Sequence, residues 1–152
     1  MRMRFLFFGV AIAVLVIDLV TKTVFTDTAA VLIPNIISIQ FTRNLGAAFS
    51  MFSGGGIWLI MFTSVVIGIG LFAYFRFKNQ GLLFNIACAL ILGGAIGNLC
   101  DRIFLGSVRD FIQLDFINFP IFNFADIALN IGVALLVVWL IFIYRSKDDA
   151  KI

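Results

Sequence analysis

Four long apolar runs are the feature of this sequence that most limits the folds open to it. Each run is close to the roughly 20 residues that a helix needs to cross the hydrocarbon core of a bilayer. The chain is 62% hydrophobic and 12% charged, and a soluble domain of that composition would expose aggregation-prone apolar patches. The sequence therefore predicts an all-α membrane protein, a single domain over residues 1–152 built as a four-helix transmembrane bundle. The predicted spans are Phe5–Phe25, Ile57–Phe75, Leu82–Cys100 and Ile127–Tyr144.

The first run resembles a secretory signal because Arg2 and Arg4 precede it. A cleaved signal would end in a small-x-small site, and none follows this run. Asp18 and Lys22 lie where the cleavage region would be. We therefore expect the run to stay in the protein as its first span.

The basic residues predict the orientation of the four spans. Four crossings bring both termini and the turn at 76–80 to one side of the membrane, and this side carries more lysine and arginine than the other. The positive-inside rule makes the richer side cytoplasmic. The cytoplasmic set is Arg2, Arg4, Arg76, Lys78, Arg145, Lys147 and Lys151, and the outer set is Lys22, Arg43, Arg102 and Arg109. These residues form no basic stripe of the kind that binds nucleic acid.

The two outer connections are longer than simple turns. Residues Ile37–Thr42 alternate apolar and polar side chains, which predicts a half-buried strand. Pro34-Asn35 precedes that stretch and a glycine cluster ending at Gly56 follows it. Residues Phe104–Phe122 mix aromatic and charged side chains, which is typical of an amphipathic segment at the membrane interface. We therefore expect a small extracytoplasmic β-cradle and an interfacial segment to cover the outer end of the bundle.

The polar composition excludes several kinds of catalytic site. The chain has no histidine and no glutamate, so a Ser-His-Asp triad, a Cys-His pair and an HExxH zinc site are impossible. Cys88 and Cys100 lack an activating histidine and are too few for a four-cysteine zinc site. We interpret both as packing residues and predict neither a metal nor a cofactor.

Six of the eight aspartates are predicted to gather at the outer face. Asp18 and Lys22 are four residues apart on one helix face, a spacing typical of an ion pair. Asn98, Asp101 and Arg102 share a second face, where Asp101 and Arg102 could pair with each other. Gly93 and Gly97, just before them, would let a neighbouring helix approach closely.

Asp126 differs from those aspartates because no basic residue lies within four positions of it. Its spacing from Asn123 and Asn130 puts all three on one face at the start of the fourth span. One interpretation is a cap of that helix, since helix N-termini favour aspartate. The other is a functional carboxylate, because ionisable residues within spans commonly mark function. Asp110, among apolar residues near the interface, would by itself be interpreted as a surface charge.

Five motifs in order make the sequence resemble the lipoprotein signal peptidases, or signal peptidase II. They cover most of the chain and have similar spacing to that family. The motifs are Asp18-x-x-x-Lys22, Asn44-Leu45-Gly46-Ala47-Ala48-Phe49, Gly93-Gly94-Ala95-x-Gly97-Asn98-x-x-Asp101-Arg102, Gly106-x-Val108-x-Asp110-Phe111 and Phe122-Asn123-x-Ala125-Asp126.

The resemblance implies an aspartic endopeptidase of the bacterial inner membrane. Its substrates would be prolipoproteins with a diacylglyceryl group on a cysteine, cut at the bond before that cysteine near the periplasmic face. Globomycin-type cyclic peptides would inhibit it, and membrane lipids would surround it. The catalytic pair of the family falls on Asp110 and Asp126. The supporting positions fall on Asp18, Lys22, Asn44, Gly46, Asn98, Asp101, Arg102, Asn123 and Ala125. Arg109 stands where an apolar residue is commoner, so we expect it to alter the field at Asp110.

Two other functions fit part of the sequence. A serine–lysine peptidase could use Lys22 as the base for Ser50 or Ser53, but the aspartates of the third and fourth spans would then have no role. A small ion-coupled or proton-coupled transporter would also use intramembrane carboxylates. The polar residues cluster at one face, however, and do not continue through the bilayer.

Overall fold

The computed structural model describes residues 2–46, 56–77 and 80–144. Within these ranges it contains four helices long and apolar enough to span a membrane, as the sequence predicted. They are α1 (Arg2–Val24), α2 (Gly56–Arg76), α3 (Leu82–Leu105) and α4 (Phe124–Val138), and α4 continues as a π-helical segment, Trp139–Tyr144.

Helix α1 begins three residues before the predicted span, at Arg2. The end of α3 and the start of α4 also differ from the predicted spans, and both of these differences concern polar residues. Helix α3 continues past Cys100 to Leu105, where Gly106 ends it with a left-handed backbone (φ 69°). Helix α4 starts three residues earlier than predicted because Asn123 caps it. Apolar content identifies the membrane-crossing part of a helix, whereas capping residues determine where the helix begins and ends. Asp101, Arg102 and Asp126 therefore lie on helices.

Three strands form an antiparallel sheet in the order β1-β2-β3: Ala29–Ile33, Ile37–Asn44 and Val108–Leu114. The predicted strand at 37–42 is confirmed as the central strand. Asn35 makes the turn between β1 and β2 with a positive φ of 61°, which asparagine tolerates better than most residues. The expected interfacial segment contributes β3, while Phe116, Ile117 and Phe119 beyond it are exposed.

The sheet covers the end of the bundle where α1 and α3 finish and α4 begins, which we call the sheet end. Val108 and Phe111 of β3 are buried, and the Phe111 ring lies 4.9 Å from that of Phe25, just past α1. At the opposite end, an aromatic cluster closes the bundle, with the Phe7 and Tyr74 rings stacked 3.8 Å apart. The buried charged side chains of the described residues thus lie at the sheet end, away from the aromatic cluster.

Glycines bring α3 into close contact with its neighbours. A Cβ on Gly93 would lie 2.6 Å from the carbonyl oxygen of Ala11 on α1. A Cβ on Gly94 would lie equally close, 2.6 Å, to the carbonyl oxygen of Ala125 on α4. The predicted close approach at Gly93 and Gly97 is confirmed, because a Cβ on Gly97 would overlap the Asp18 carboxylate.

We expect Gly93→Ala to destabilise the protein by about 1–3 kcal/mol, the usual cost of overpacking a close contact. The methyl group would meet backbone on α1, which cannot rotate away as a side chain can. Thermal unfolding of the purified protein in detergent measures the effect. Gly68→Ala is the matched control, since a Cβ there meets nothing within 4 Å. An unchanged melting temperature for Gly93→Ala would contradict the packing described.

Candidate active site

Polar side chains from α1, α3, α4 and the sheet meet in the interior of the sheet end. Most of the residues that the sequence singled out lie here, and they are nearly inaccessible to solvent. No buried side-chain nitrogen or oxygen among the described residues lacks a hydrogen-bond partner. The buried members are Asp18, Lys22, Asn98, Asp101, Asp110 and Asn123.

Asn123 is the residue that connects the two principal aspartates. It is the N-cap of α4, and its side-chain oxygen accepts the backbone N–H of Asp126 at 3.0 Å. In return, its own backbone N–H donates to Asp126 Oδ2 at 3.1 Å. Its amide nitrogen donates to Asp110 Oδ1 at 2.7 Å. One fully buried asparagine therefore holds both carboxylates.

Asp126 has the first of the two roles that the sequence left open, that of a helix cap. It completes a capping box with Asn123, so the capping interpretation is confirmed. Its other oxygen, Oδ1, accepts a 2.8 Å hydrogen bond from the amide of Asn98 on α3. Unlike Asp110, Asp126 is only partly buried. Its carboxylate is thus held by two asparagines, and the residue keeps partial exposure.

Asp110 owes its position to the sheet. It lies opposite Thr42 in the β2–β3 pairing, and Asn44 on the same face of β2 donates to its Oδ2 at 3.0 Å. Burial, the largest cause, raises the pKa of Asp110 to about 6. The hydrogen bond from Asn44 opposes that rise, whereas the negative charge of Asp126 adds to it. Asp110 is therefore a buried carboxyl group that holds a proton more readily than an ordinary aspartate.

The predicted ion pair between Asp18 and Lys22 is confirmed, with a separation of 2.7 Å and both side chains fully buried. Lys22 also donates to the Asn98 side-chain oxygen at 2.9 Å. The second oxygen of Asp18 accepts the backbone N–H of Ala125 at 2.9 Å. These bonds tie α1 to α3 and to the first turn of α4, so the pair positions the neighbours of Asp126.

The suggested pair between Asp101 and Arg102 is wrong. Asp101 binds the guanidinium of Arg109 at 2.8 Å and lies 3.6 Å from Lys22. Arg102 instead donates to backbone oxygens of Asn98 and Gly46, at 3.4 Å each. The two side chains diverge because consecutive residues on a helix point about 100° apart. The negative charges of Asp126 and Asp110 both act on the Arg102 guanidinium.

The second motif of the resemblance is described only in part. The Gly46 N–H donates to the Asn44 side-chain oxygen at 3.0 Å, which turns the Asn44 amide nitrogen toward Asp110. Residues 47–49 of this motif, and Ser50 and Ser53 of the serine–lysine alternative, lie outside the described residues.

Sequence reasoning missed the partner of Arg109. We expected Arg109 to alter the field at Asp110 and named no partner for it. Consecutive strand residues point to opposite faces, and Arg109 binds Asp101. A correct strand assignment for 108–114 would have shown that Arg109 and Asp110 lie on opposite faces of the sheet.

Cys88 and Cys100 are free thiols and only partly buried. Among the described residues, no group of three or more cysteine or acidic side chains is arranged to hold a metal ion.

Known proteins are similar to this chain along most of its length. A family model described as signal peptidase (SPase) II matches residues 10–142. This chain belongs to the signal peptidase II family. The lipoprotein signal peptidase of Lactobacillus johnsonii is 42% identical over 117 residues, which cover 77% of this chain and 75% of that protein. The Staphylococcus carnosus lipoprotein signal peptidase is 39% identical over 145 residues, covering 91% of each chain.

The fold of this signal peptidase II family member also matches solved structures. A bacterial membrane enzyme solved by the in meso method at 2.3 Å resolution superposes with a TM-score of 0.79 at 33% identity. The match covers 86% of this chain and 84% of the other. The chain is thus a multi-pass membrane protease with the architecture predicted from its sequence, a four-helix bundle with a small sheet.

Proposed function

We propose that Asp110 and Asp126 are the catalytic dyad of this peptidase, which removes the signal peptide from diacylglyceryl-modified prolipoproteins by cutting before the modified cysteine. The observation that carries the proposal is the hydrogen bonding of both carboxylates to Asn123, at 2.7 Å and 3.1 Å. Family membership supports the reaction class and the substrate class. The chain has no histidine, and a pair of carboxyl groups can carry the protons in its place.

Two neighbouring carboxyl groups in a low-dielectric site do not both ionise, and a dyad that shares one proton is the result. Asp110 is the better holder of that proton, since it is buried and its pKa is raised to about 6. Asp126 is partly exposed and accepts two N–H bonds, so it is the member of the pair nearer to water. We therefore assign Asp126 as the general base and Asp110 as the general acid.

Hydrolysis follows from this division of roles. Asp126 takes a proton from water as the water oxygen attacks the scissile carbonyl carbon, and Asp110 donates its proton to the carbonyl oxygen. The resulting diol collapses when one hydroxyl proton returns to Asp110 and the C–N bond breaks. The leaving amine receives the proton held by Asp126. Both carboxyl groups then have their starting protonation.

Arg102 has a supporting electrostatic role in this proposal. Its guanidinium interacts with the charges of both Asp110 and Asp126. The side chain is held by the two backbone oxygens of Asn98 and Gly46. A fixed positive charge beside the dyad stabilises the single negative charge that the dyad carries throughout the cycle.

We further propose that the sheet end lies at the outer, periplasmic face of a bacterial cytoplasmic membrane, with both termini cytoplasmic. The excess of lysine and arginine at the opposite end supports this orientation. Exposed apolar side chains on all four helices, such as Phe62 and Phe72 on α2, would then contact lipid. The acyl chains of the substrate would stay in the bilayer while its cysteine reaches the dyad. We also propose that the whole chain is a single domain. Globomycin-type cyclic peptides would compete for the same site.

The serine–lysine alternative has less support than the dyad. Lys22 is fully buried, and its ammonium group donates to Asp18 and Asn98. These bonds occupy its ammonium group, and among the described residues Lys22 bonds no serine. A transporter is disfavoured by membership in a peptidase family, and the buried charged side chains among the described residues all lie at the sheet end.

A substrate comparison tests the proposed function. The purified protein in proteoliposomes is given one prolipoprotein in two forms, with and without the diacylglyceryl group on its cysteine. We expect cleavage of the modified form only, with mass spectrometry identifying the modified cysteine as the new N-terminus. Globomycin should block this cleavage. Equal cleavage of both forms, or a cut at another bond, would refute the proposed specificity.

The pH dependence of cleavage tests the assignment of acid and base. Asp110 must be protonated to act, and its pKa is raised to about 6. We therefore expect kcat/KM to be high below that pKa and to fall about tenfold per unit as the pH rises well above it. A second fall at low pH should accompany protonation of the base, and the two apparent pKa values belong to the pair. A flat profile between pH 5 and 9 would contradict a shared-proton dyad.

A further inference from the structure

The Asp101–Arg109 pair connects the end of α3 to the strand that carries Asp110. Three donors of Arg109 bind Asp101: the backbone N–H at 3.0 Å, Nε at 3.1 Å and Nη2 at 2.8 Å. Asp101 is buried, and the Arg109 side chain is 17% exposed. A forked arginine–carboxylate pair with little access to water is both strong and geometrically specific. Residue 109 is therefore fixed through its backbone and its side chain at once.

Lys22 lies within reach of three acceptors. It is 2.7 Å from Asp18, 2.9 Å from the Asn98 oxygen and 3.6 Å from Asp101. The longest of these distances is the one to Asp101, whose oxygens already accept bonds from Arg109. Because Arg109 satisfies Asp101, the lysine remains available to Asn98.

The bond from Lys22 to Asn98 determines which way the Asn98 amide faces. An ammonium group can only donate, so it requires the amide oxygen on its side. The Asn98 nitrogen must then face Asp126, to which it donates at 2.8 Å. The same Asn98 oxygen accepts a 3.0 Å bond from Asn123, the asparagine that binds Asp110. A chain of hydrogen bonds thus runs from Lys22 to both carboxylates.

We propose that Arg109 is a positioning residue of the dyad: by occupying Asp101, it leaves Lys22 to orient Asn98 toward Asp126. This inference rests on the proposed function and adds a residue to it. Without Arg109, the buried Asp101 carboxylate would draw the Lys22 ammonium toward itself, since an unpaired buried charge is costly. Asn98 would lose the bond from Lys22 that fixes its amide. The positive charge of Arg109 would also be gone from the neighbourhood of the dyad.

The charged and titratable groups around this network come from every element that meets there. Three of the cations, Lys22, Arg102 and Arg109, are at least partly buried. They balance three negative charges when the dyad carries one proton: Asp18, Asp101 and one charge on the dyad. Loss of Arg109 would leave a net negative charge in the low-dielectric interior, which favours protonated carboxyl groups. The groups are Asp18 and Lys22 on α1, Arg43 on β2, Cys100, Asp101 and Arg102 on α3, Arg109 and Asp110 on β3, and Asp126 on α4.

Arg109→Met tests the proposal through kinetics and the pH profile. We expect kcat to fall about tenfold, as misplacement of a catalytic group predicts, while KM stays within about twofold. The pH–kcat profile should shift to higher pH by about half a unit or more, since the carboxyl groups hold their protons longer. Arg109→Lys keeps the charge and should keep the wild-type profile. Arg43→Met is the matched control, because Arg43 is the exposed residue opposite Arg109 in the sheet.

The double variant Asp101→Asn/Arg109→Met separates positioning from mere structural support. A neutral asparagine at 101 does not attract Lys22 as a carboxylate does, so the double variant should recover kcat and the wild-type profile relative to Arg109→Met. Folding is monitored by melting temperature and by the amount of protein in the membrane. A double variant no better than Arg109→Met, or Arg109→Met with an unshifted profile, overturns the proposal.

Failure of this inference can be told apart from failure of the proposed function. If Asp110→Asn and Asp126→Asn abolish cleavage while Arg109→Met leaves the pH profile unchanged, only the role of Arg109 is rejected. If either aspartate variant cleaves normally, the dyad itself is rejected, whatever Arg109→Met does.

Discussion

Asp126→Asn is expected to reduce prolipoprotein cleavage by at least about 10³-fold, the loss that removal of a general base commonly causes. Asparagine has nearly the shape of aspartate but cannot accept a proton from water. Its oxygen can still accept one of the two N–H bonds that Asp126 receives, so the fold should survive. Cleavage in proteoliposomes is measured together with the melting temperature, which separates lost chemistry from lost structure.

Asp110→Asn should reduce cleavage to a similar degree, because the reaction then lacks its acid. Residues that act as a unit are not additive, so the double variant should be little worse than either single one. Asp115→Asn is the matched control: Asp115 follows the same strand but is exposed and bonded to Ser38. Full activity in either Asp110→Asn or Asp126→Asn would exclude the dyad, and loss of activity in Asp115→Asn would make the comparison uninformative about proton transfer.

Lys22→Met is expected to have the largest effect on stability, about 3–5 kcal/mol, the usual cost of removing one partner of a buried ion pair. Asp18 and Asp101 would remain buried, with Asp18 deprived of the cation 2.7 Å away. The melting temperature in detergent should fall by many degrees, and less protein should accumulate in the membrane.

The double variant Asp18→Asn/Lys22→Met provides the control for that prediction. It removes both charges, and asparagine can still accept the Ala125 N–H that Asp18 now binds at 2.9 Å. We expect it to be more stable than Lys22→Met. Equal stability of the two variants would show that lost packing, and not an uncompensated charge, destabilises the single variant.

Much of the fold could be predicted from the sequence because a bilayer imposes simple rules. Length and apolarity identified the four spans, and all four are present. Period-two alternation identified strand β2, and spacing of four identified the Asp18–Lys22 pair. These are local patterns, and the geometry of one helix or strand is enough to interpret them.

The candidate site was harder to predict because it joins segments far apart in sequence. Asp126 could be nominated by helix spacing and the absence of a basic neighbour, whereas Asp110 depended on the family resemblance. Asp110 meets Asn44 only because β3 pairs with β2 in one register. A register shift of one residue would turn Asp110 to the other face of the sheet, and nothing local to residues 108–114 specifies that register.

The sequence by itself determined that this chain has four membrane-spanning helices and carries six of its eight aspartates toward one end. The hydrophobic effect and the cost of burying charge act on every chain with such a composition, whatever its tertiary contacts. Only the tertiary structure decided which partner each charge has: Asp101 with Arg109 instead of Arg102, and Asn123 with both Asp110 and Asp126. Those pairings depend on distances of a few ångströms between different elements, and packing of the whole bundle determines them.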